Sequence, residues 1–204
     1  MASKDYQRFL DTFIATGPAA AQEGPDTAAL ARLQDEERIA AEKILLSRLG
    51  HADSRAAVGL GVLQSAEAGP HVRRLMEECV GSEREVDAEA LVDNSLACYR
   101  IEGDARVLEN IQHVLEVSPI ESIRIAAANA LAQSGAKEAH APLWKAIETD
   151  ESGLVRCNAA KALMVMHGKL DDPRESPPVT IRLMVKAPHV RAEAVQELKK
   201  ILAS

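Results

Sequence analysis

At 204 residues the chain is long enough to bury a sizeable core in one ordinary domain. Apolar residues reach 47%, aromatics only 2%, and 31 acidic against 24 basic side chains leave a net charge of −7. That balance argues against a nucleic-acid partner, whose phosphates need a basic surface. No apolar run approaches the roughly 18–20 residues of a membrane-spanning helix, so no membrane partner is expected. Residues 1–10 have no apolar signal core and read as a cytoplasmic start. Cys79, Cys98 and Cys157 are widely spaced and form no Cys-x-x-Cys pair, so buried, reduced thiols are expected.

In chain order, residues 3–15 predict a short helix with Phe9, Leu10, Phe13 and Ile14 on one side. With Tyr6 it holds three of the five aromatic residues, which suits an apolar cap on the open end of a helical stack. Residues 17–25 read as a linker from their Gly, Pro and Ala content. A helical run from Asp26 to Leu49 follows, with a break near Gln34–Glu36 and a stop at Gly50. Arg55–Ser65 and Pro70–Val80 are the next two helices, the first weakened locally by Gly59 and Gly61.

Residues 77–93 carry seven acids against Arg84 alone, nearly all of the chain's net charge. Either they form a solvated turn, or Glu83, Glu85, Asp87, Glu89 and Asp93 make an acidic patch that draws in a basic partner. Asp104–Glu116 is a further helix with Glu109, His113 and Glu116 on one face. That pattern is common on charged surfaces, and no metal or cofactor is expected.

A repeat then organises the rest. Arg124 is followed by Ala127, Ala128 and Leu131, with Gly135 closing the helix; Arg156 is followed by Ala159, Ala160 and Leu163, with a turn at Gly168. The arginines are 32 residues apart, as are the leucines. Similar steps reach Arg191 with Ala194 and Leu198, Glu89 with Val92 and Leu96, and Arg55 with Val58 and Val62. Positions +3 and +7 share a helical face, and small residues there let a neighbouring helix approach closely. Each anchor helix is read as followed by a turn and a second apolar helix. The linker 169–178 is expected to project from an edge, and His189–Leu202 to close the stack.

The stretches 122–147, 154–168 and 189–202 resemble the HEAT-like repeats, in particular the short bacterial type also seen in phycobilin lyases. The resemblance covers about residues 35–204 and implies an all-α, right-handed α-solenoid of about five helical hairpins. Residues 1–25 would then be a capping helix and linker, and residues 26–204 one repeat domain with anchors near 55, 89, 124, 156 and 191. In that family the anchor helix lines the concave face. Its variable positions fall here on Leu60, Asn94, Asn129, Lys161 and Gln196, with Leu91, Ile125, Cys157, Asn158 and Glu193 beside them.

Enzyme chemistry is absent from the motifs. There is no Gly-rich phosphate loop and no Gly-x-Ser-x-Gly elbow. Deoxyhypusine hydroxylase, a HEAT-like enzyme, binds iron through His-Glu dipeptides, and this chain has none. The expectation is a non-catalytic, monomeric, cytoplasmic module that binds another protein, basic if the acidic patch makes the contact. Asn94, Asn129, Asn158, Lys161, Glu193 and Gln196 are its expected concave contacts, and a bacterial immunity protein, inhibitor or adaptor is the expected role. The alternative is a phycobilin-lyase-like enzyme or tetrapyrrole chaperone. Arg124, Arg156 and Arg191 are expected to bridge neighbouring repeats rather than touch a partner.

Overall fold

The computed structural model describes residues 2–15, 24–50, 54–82, 84–172 and 174–204. Every regular element among them is helical, as the apolar periodicity predicts. No helix among them is long and apolar enough to cross a membrane. The chain divides into two compact units, residues 1–82 with 93–104 and residues 83–92 with 105–204. Residues 17–23 of the expected linker lie outside the described residues.

The first unit begins with α1 (Lys4–Phe9), which runs on into a wider turn at Leu10–Ile14. Phe9 and Phe13 are fully enclosed, and their rings lie 5.5 Å apart. The apolar side expected of residues 3–15 is therefore used within this unit. The predicted break separates α2 (Thr27–Arg32) from α3 (Asp35–Arg48). Asp26 caps α2 by accepting from the Ala29 N–H at 2.9 Å, which satisfies a donor that the helix start leaves unpaired.

Next come α4 (Ser54–Leu63), α5 (Gly69–Cys79) and the long α6 (Glu85–Glu102), whose residues divide between the two units. Gly59 and Gly61 lie within a continuous α4, at its points of close approach. A Cβ on Gly61 would lie 2.8 Å from the Ala97 Cα, and one on Gly59 would lie 2.7 Å from Leu45 Cδ1. The register expected from Arg55 is corrected. Val58 and Val62 are only half-buried, while Ala56, Ala57, Leu60 and Leu63 are in the core. The glycines draw their own side of the helix inward.

The second unit carries the regular repeats: α7 (Leu108–Val117), α8 (Glu121–Ser134), α9 (His140–Thr149), α10 (Gly153–Met166), α11 (Pro178–Arg182) and α12 (Pro188–Ala203). Ala127, Ala128, Leu131, Ala159, Ala160, Leu163, Ala194 and Leu198 are all fully buried, so the small-and-leucine face is the packed face. The pairing differs from the sequence reading. An anchor helix pairs with the helix before it: α7 with α8, α9 with α10, and α11 with α12. The short turns 118–120 and 150–152 close the first two of these hairpins. After α8, Gly135 at φ +64 ends the helix in the left-handed region that glycine tolerates. A single helical turn at Lys137–Ala139 then carries the chain to the next hairpin. Within this unit α8 lies against α10 and α7 against α9, two layers of like helices side by side.

Candidate functional site

The frame of the site is set by two buried arginines on the packed layer. Arg124 is 6% exposed; its Nη1 donates to the Ser118 carbonyl at 2.8 Å, and its Nε and Nη2 donate to the Asp150 carboxylate at 2.9 and 3.1 Å. Arg156 is 3% exposed; its Nη1 donates to the Asp150 carbonyl at 2.6 Å and its Nε to the Leu183 carbonyl at 2.8 Å. Ser118 and Asp150 each stand six positions before their arginine. The same bond thus ties each anchor to its own turn, while a second bond reaches the turn of the next hairpin. A planar guanidinium with five donors suits this double duty. Burial, with the neighbouring charge of Arg191 adding to it and Asp150 opposing, lowers the Arg156 pKa. Asp150 also accepts from the Ser152 N–H at 2.7 Å, at the start of α10. Its part is invisible in the repeat pattern, because the equivalent position before Arg124 is a serine.

Held this way, the outward sides of α8 and α10 line a depression of about 370 Å³. Asn129, Ala132 and Gln133 come from α8, Asn158, Lys161, Ala162 and Val165 from α10, and Arg174 from the loop after it. Three of the expected contact residues, Asn129, Asn158 and Lys161, are therefore brought together. The Asn158 Nδ2 donates to the Leu154 carbonyl at 2.8 Å, which leaves the side-chain oxygen available to accept. Gln133 and Arg174 were not expected from the sequence. Gln133 lies four residues beyond Asn129, one helical turn along the same face. Arg174 had no signal, since it comes from the loop expected to project away. Asp172 holds it there, accepting from the Arg174 Nε at 3.0 Å and Nη2 at 2.9 Å. The Asp172 carboxyl sits below its ordinary range, chiefly through the Arg174 side chain and then its backbone N–H. Burial opposes this shift, and the charges of Arg174 and Lys161 add to it.

The other expected contacts fall elsewhere. Asn94 is a correction: it is 4% exposed, and its Oδ1 has no hydrogen-bond partner. It occupies the +5 position of its helix, as does the fully buried Leu60, so in α4 and α6 this position turns inward. Leu91 and Cys157 are buried too, at 7% and 5%. Glu193 and Gln196 line a separate depression of about 490 Å³ on α12, beside the ion pair of Arg182 with Glu197.

Of the acidic set, Glu83 lies outside the described residues. Glu85 and Glu89 are exposed, and Asp93 is half-buried. Asp87 is engaged, accepting from the Arg84 Nε at 2.7 Å.

Cys79, Cys98 and Cys157 are free and buried. Burial, with the charge of Glu102 second, pushes the Cys98 thiol up to about 12, so it stays protonated and inert. Among the described residues no group of three or more His, Cys, Asp or Glu side chains is placed to share a metal ion. His140 and His167 pair with ring centroids 5.0 Å apart.

A family model described as HEAT repeats matches residues 108–199. No curated protein and no solved structure matches the chain.

Proposed function

We propose that this chain is a non-catalytic binding module, on the premise that residues 108–199 match the HEAT repeats, which generally mediate protein–protein interaction. Its partner is a protein, and the contact is the outward face of α8 and α10. The observation that carries this reading is the depression shared by Asn129, Asn158 and Lys161. It joins three polar side chains over small apolar ones, on helices whose register two buried arginines hold. Such a surface offers several donors and acceptors without moving the backbone, which lowers the ordering cost of association.

The groove is favoured over the acidic segment because Asp87 is already engaged by Arg84 and Asp93 is half-buried. A cytoplasmic role as an immunity protein, inhibitor or adaptor is a finer reading, supported by the modest size, the acidity and the absence of catalytic motifs in the sequence. The tetrapyrrole alternative has less support. Depressions of about 370, 490 and 520 Å³ are within the small-molecule range, but such pockets are mostly apolar and aromatic. No aromatic side chain lines any of these three.

The test is capture from native extract by the wild type and by a Lys161→Glu, Asn129→Arg double variant. Both positions are outside the core, so the variant should fold, with a stability change within about 0.5 kcal/mol. A protein held by the wild type and released by the folded variant supports the groove. Equal capture by both would move the contact elsewhere on the molecule. An absorbance change on adding a bilin, with no protein captured, would favour the alternative.

A further inference from the structure

The depression between α8 and α10 has a sign of its own. The chain as a whole is acidic, at −7, yet the charged side chains that line this depression are Lys161 and Arg174. The rest of the lining is the three side-chain amides of Asn129, Gln133 and Asn158 and the small apolar surface of Ala132, Ala162 and Val165.

Each component selects for something. Side-chain amides carry a donor and an acceptor in the arrangement of a peptide group, so they match an extended backbone rather than a bare ion. Alanines and a valine leave room for a chain to lie close. The two cations select for a carboxylate, because a hydrogen bond to an ionised group is about twice as strong as a neutral one. Arg174 remains able to give one. Asp172 occupies its Nε and Nη2, and the guanidinium's Nη1 is left to donate outward. A net negative molecule repels acidic segments at long range; Asp172 offsets one of the two cations here, so Lys161 gives this place its net positive charge and Arg174 adds the outward Nη1 donor.

We propose that this depression receives an extended segment of the partner protein that carries an aspartate or glutamate, its carboxylate between Lys161 and Arg174 and its flanking peptide groups on Asn129 and Asn158. The proposal rests on the interaction-module reading and adds the chemistry of the occupant. It is the opposite sign to a partner drawn by the acidic segment. The partner can still be basic overall, since only the docking segment is specified.

The test is an array of random decapeptides probed with the intact protein. Wild type is expected to retain peptides enriched in Asp or Glu. Replacing the selected acid by its amide (Glu by Gln, Asp by Asn) should weaken binding about tenfold, the difference between a charged and a neutral hydrogen bond. Lys161→Glu and Arg174→Glu should each lose the enrichment, and together shift it to Lys and Arg. Retained peptides without acid enrichment, an unchanged set with the double variant, or no retained peptide would each overturn the proposal.

Capture of the native partner separates this failure from that of the module reading. If Lys161→Glu with Asn129→Arg releases the partner while the array shows no acid preference, the groove stands and the acidic occupant falls. If the wild type captures no protein and retains no peptide, both fall.

Discussion

The two units hold neighbouring helices together by different means. In the second, Arg124 and Arg156 reach from the packed layer to carbonyls and a carboxylate in the adjoining turns. In the first, α4 meets α6 through Gly61, which packs on the backbone and methyl group of Ala97. The consequence lies in the +5 position. Clamped through backbone carbonyls, α8 and α10 touch along their alanines, and Asn129 and Lys161 stay at the surface. In the first unit the same position is enclosed at Leu60 and Asn94, and α6 keeps Val92 and Leu96 buried too, so its covered surface is wider rather than turned. One repeat pattern therefore yields a surface groove in one unit and an enclosed core in the other.

The sharpest way to break this comparison is to remove a clamp. Arg124→Met leaves Asp150, whose side chain is only 9% exposed, without its guanidinium. Losing one member of a buried pair costs about 3–5 kcal/mol, and thermal or urea unfolding should show a loss of that size. Adding Asp150→Asn should recover part of it, with a coupling of about 0.5–3 kcal/mol. An Arg124→Met protein that unfolds with the wild type would show that the clamp is not what holds the hairpins.

Gly61→Ala probes the other mode. The added methyl meets the Ala97 backbone rather than a flexible side chain, so overpacking should cost about 1–3 kcal/mol. Gly50→Ala, where a Cβ meets nothing within 4 Å, is the control and should stay within about 0.5 kcal/mol. Equal melting of the two variants would remove close approach as the reason for glycine at position 61.

The smallest expected effect concerns Asp26 and depends on pH. The Ala29 N–H, and secondarily Arg8, hold its carboxyl below the ordinary 3.8, against the opposing effect of burial. A carboxylate with a depressed folded value contributes fully above its unfolded value and loses that contribution as pH falls through the folded one. Asp26→Ala should therefore cost about 1 kcal/mol at neutral pH, as for other helix N-caps. The gap between wild type and variant should narrow as pH falls below 3.8. A gap that holds constant down to strong acid would show that the cap contributes nothing through its charge.

Much of this protein is legible in its sequence because helices are local. The Arg-x-x-Ala-Ala-x-x-Leu spacing places alanine and leucine on one face, and those residues are the buried ones in α8 and α10. Gly135 marks its helix end by the same local logic. Asn129, Asn158 and Lys161 are reached through the family resemblance, as variable positions of the anchor helices, and they line one depression. Counting failed in α4, where Val58 and Val62 are only half-buried beside the glycine contacts; in α6 it placed Val92 and Leu96 inside as found and missed only that Asn94 is buried as well. It failed as well for the order of pairing, which the short turns decide, and for Asp150, whose partner is 26 residues away.

What the sequence determined by itself is the all-α class, the repeat, the core face of the regular anchors and the reduced cysteines, because each follows from spacing along one helix or from residue type. What only the tertiary structure decided is where helices from different repeats touch. That contact buries Asn94 and hands Asp150 to Arg124, since packing and ion pairing depend on distances in space that no spacing along the chain encodes.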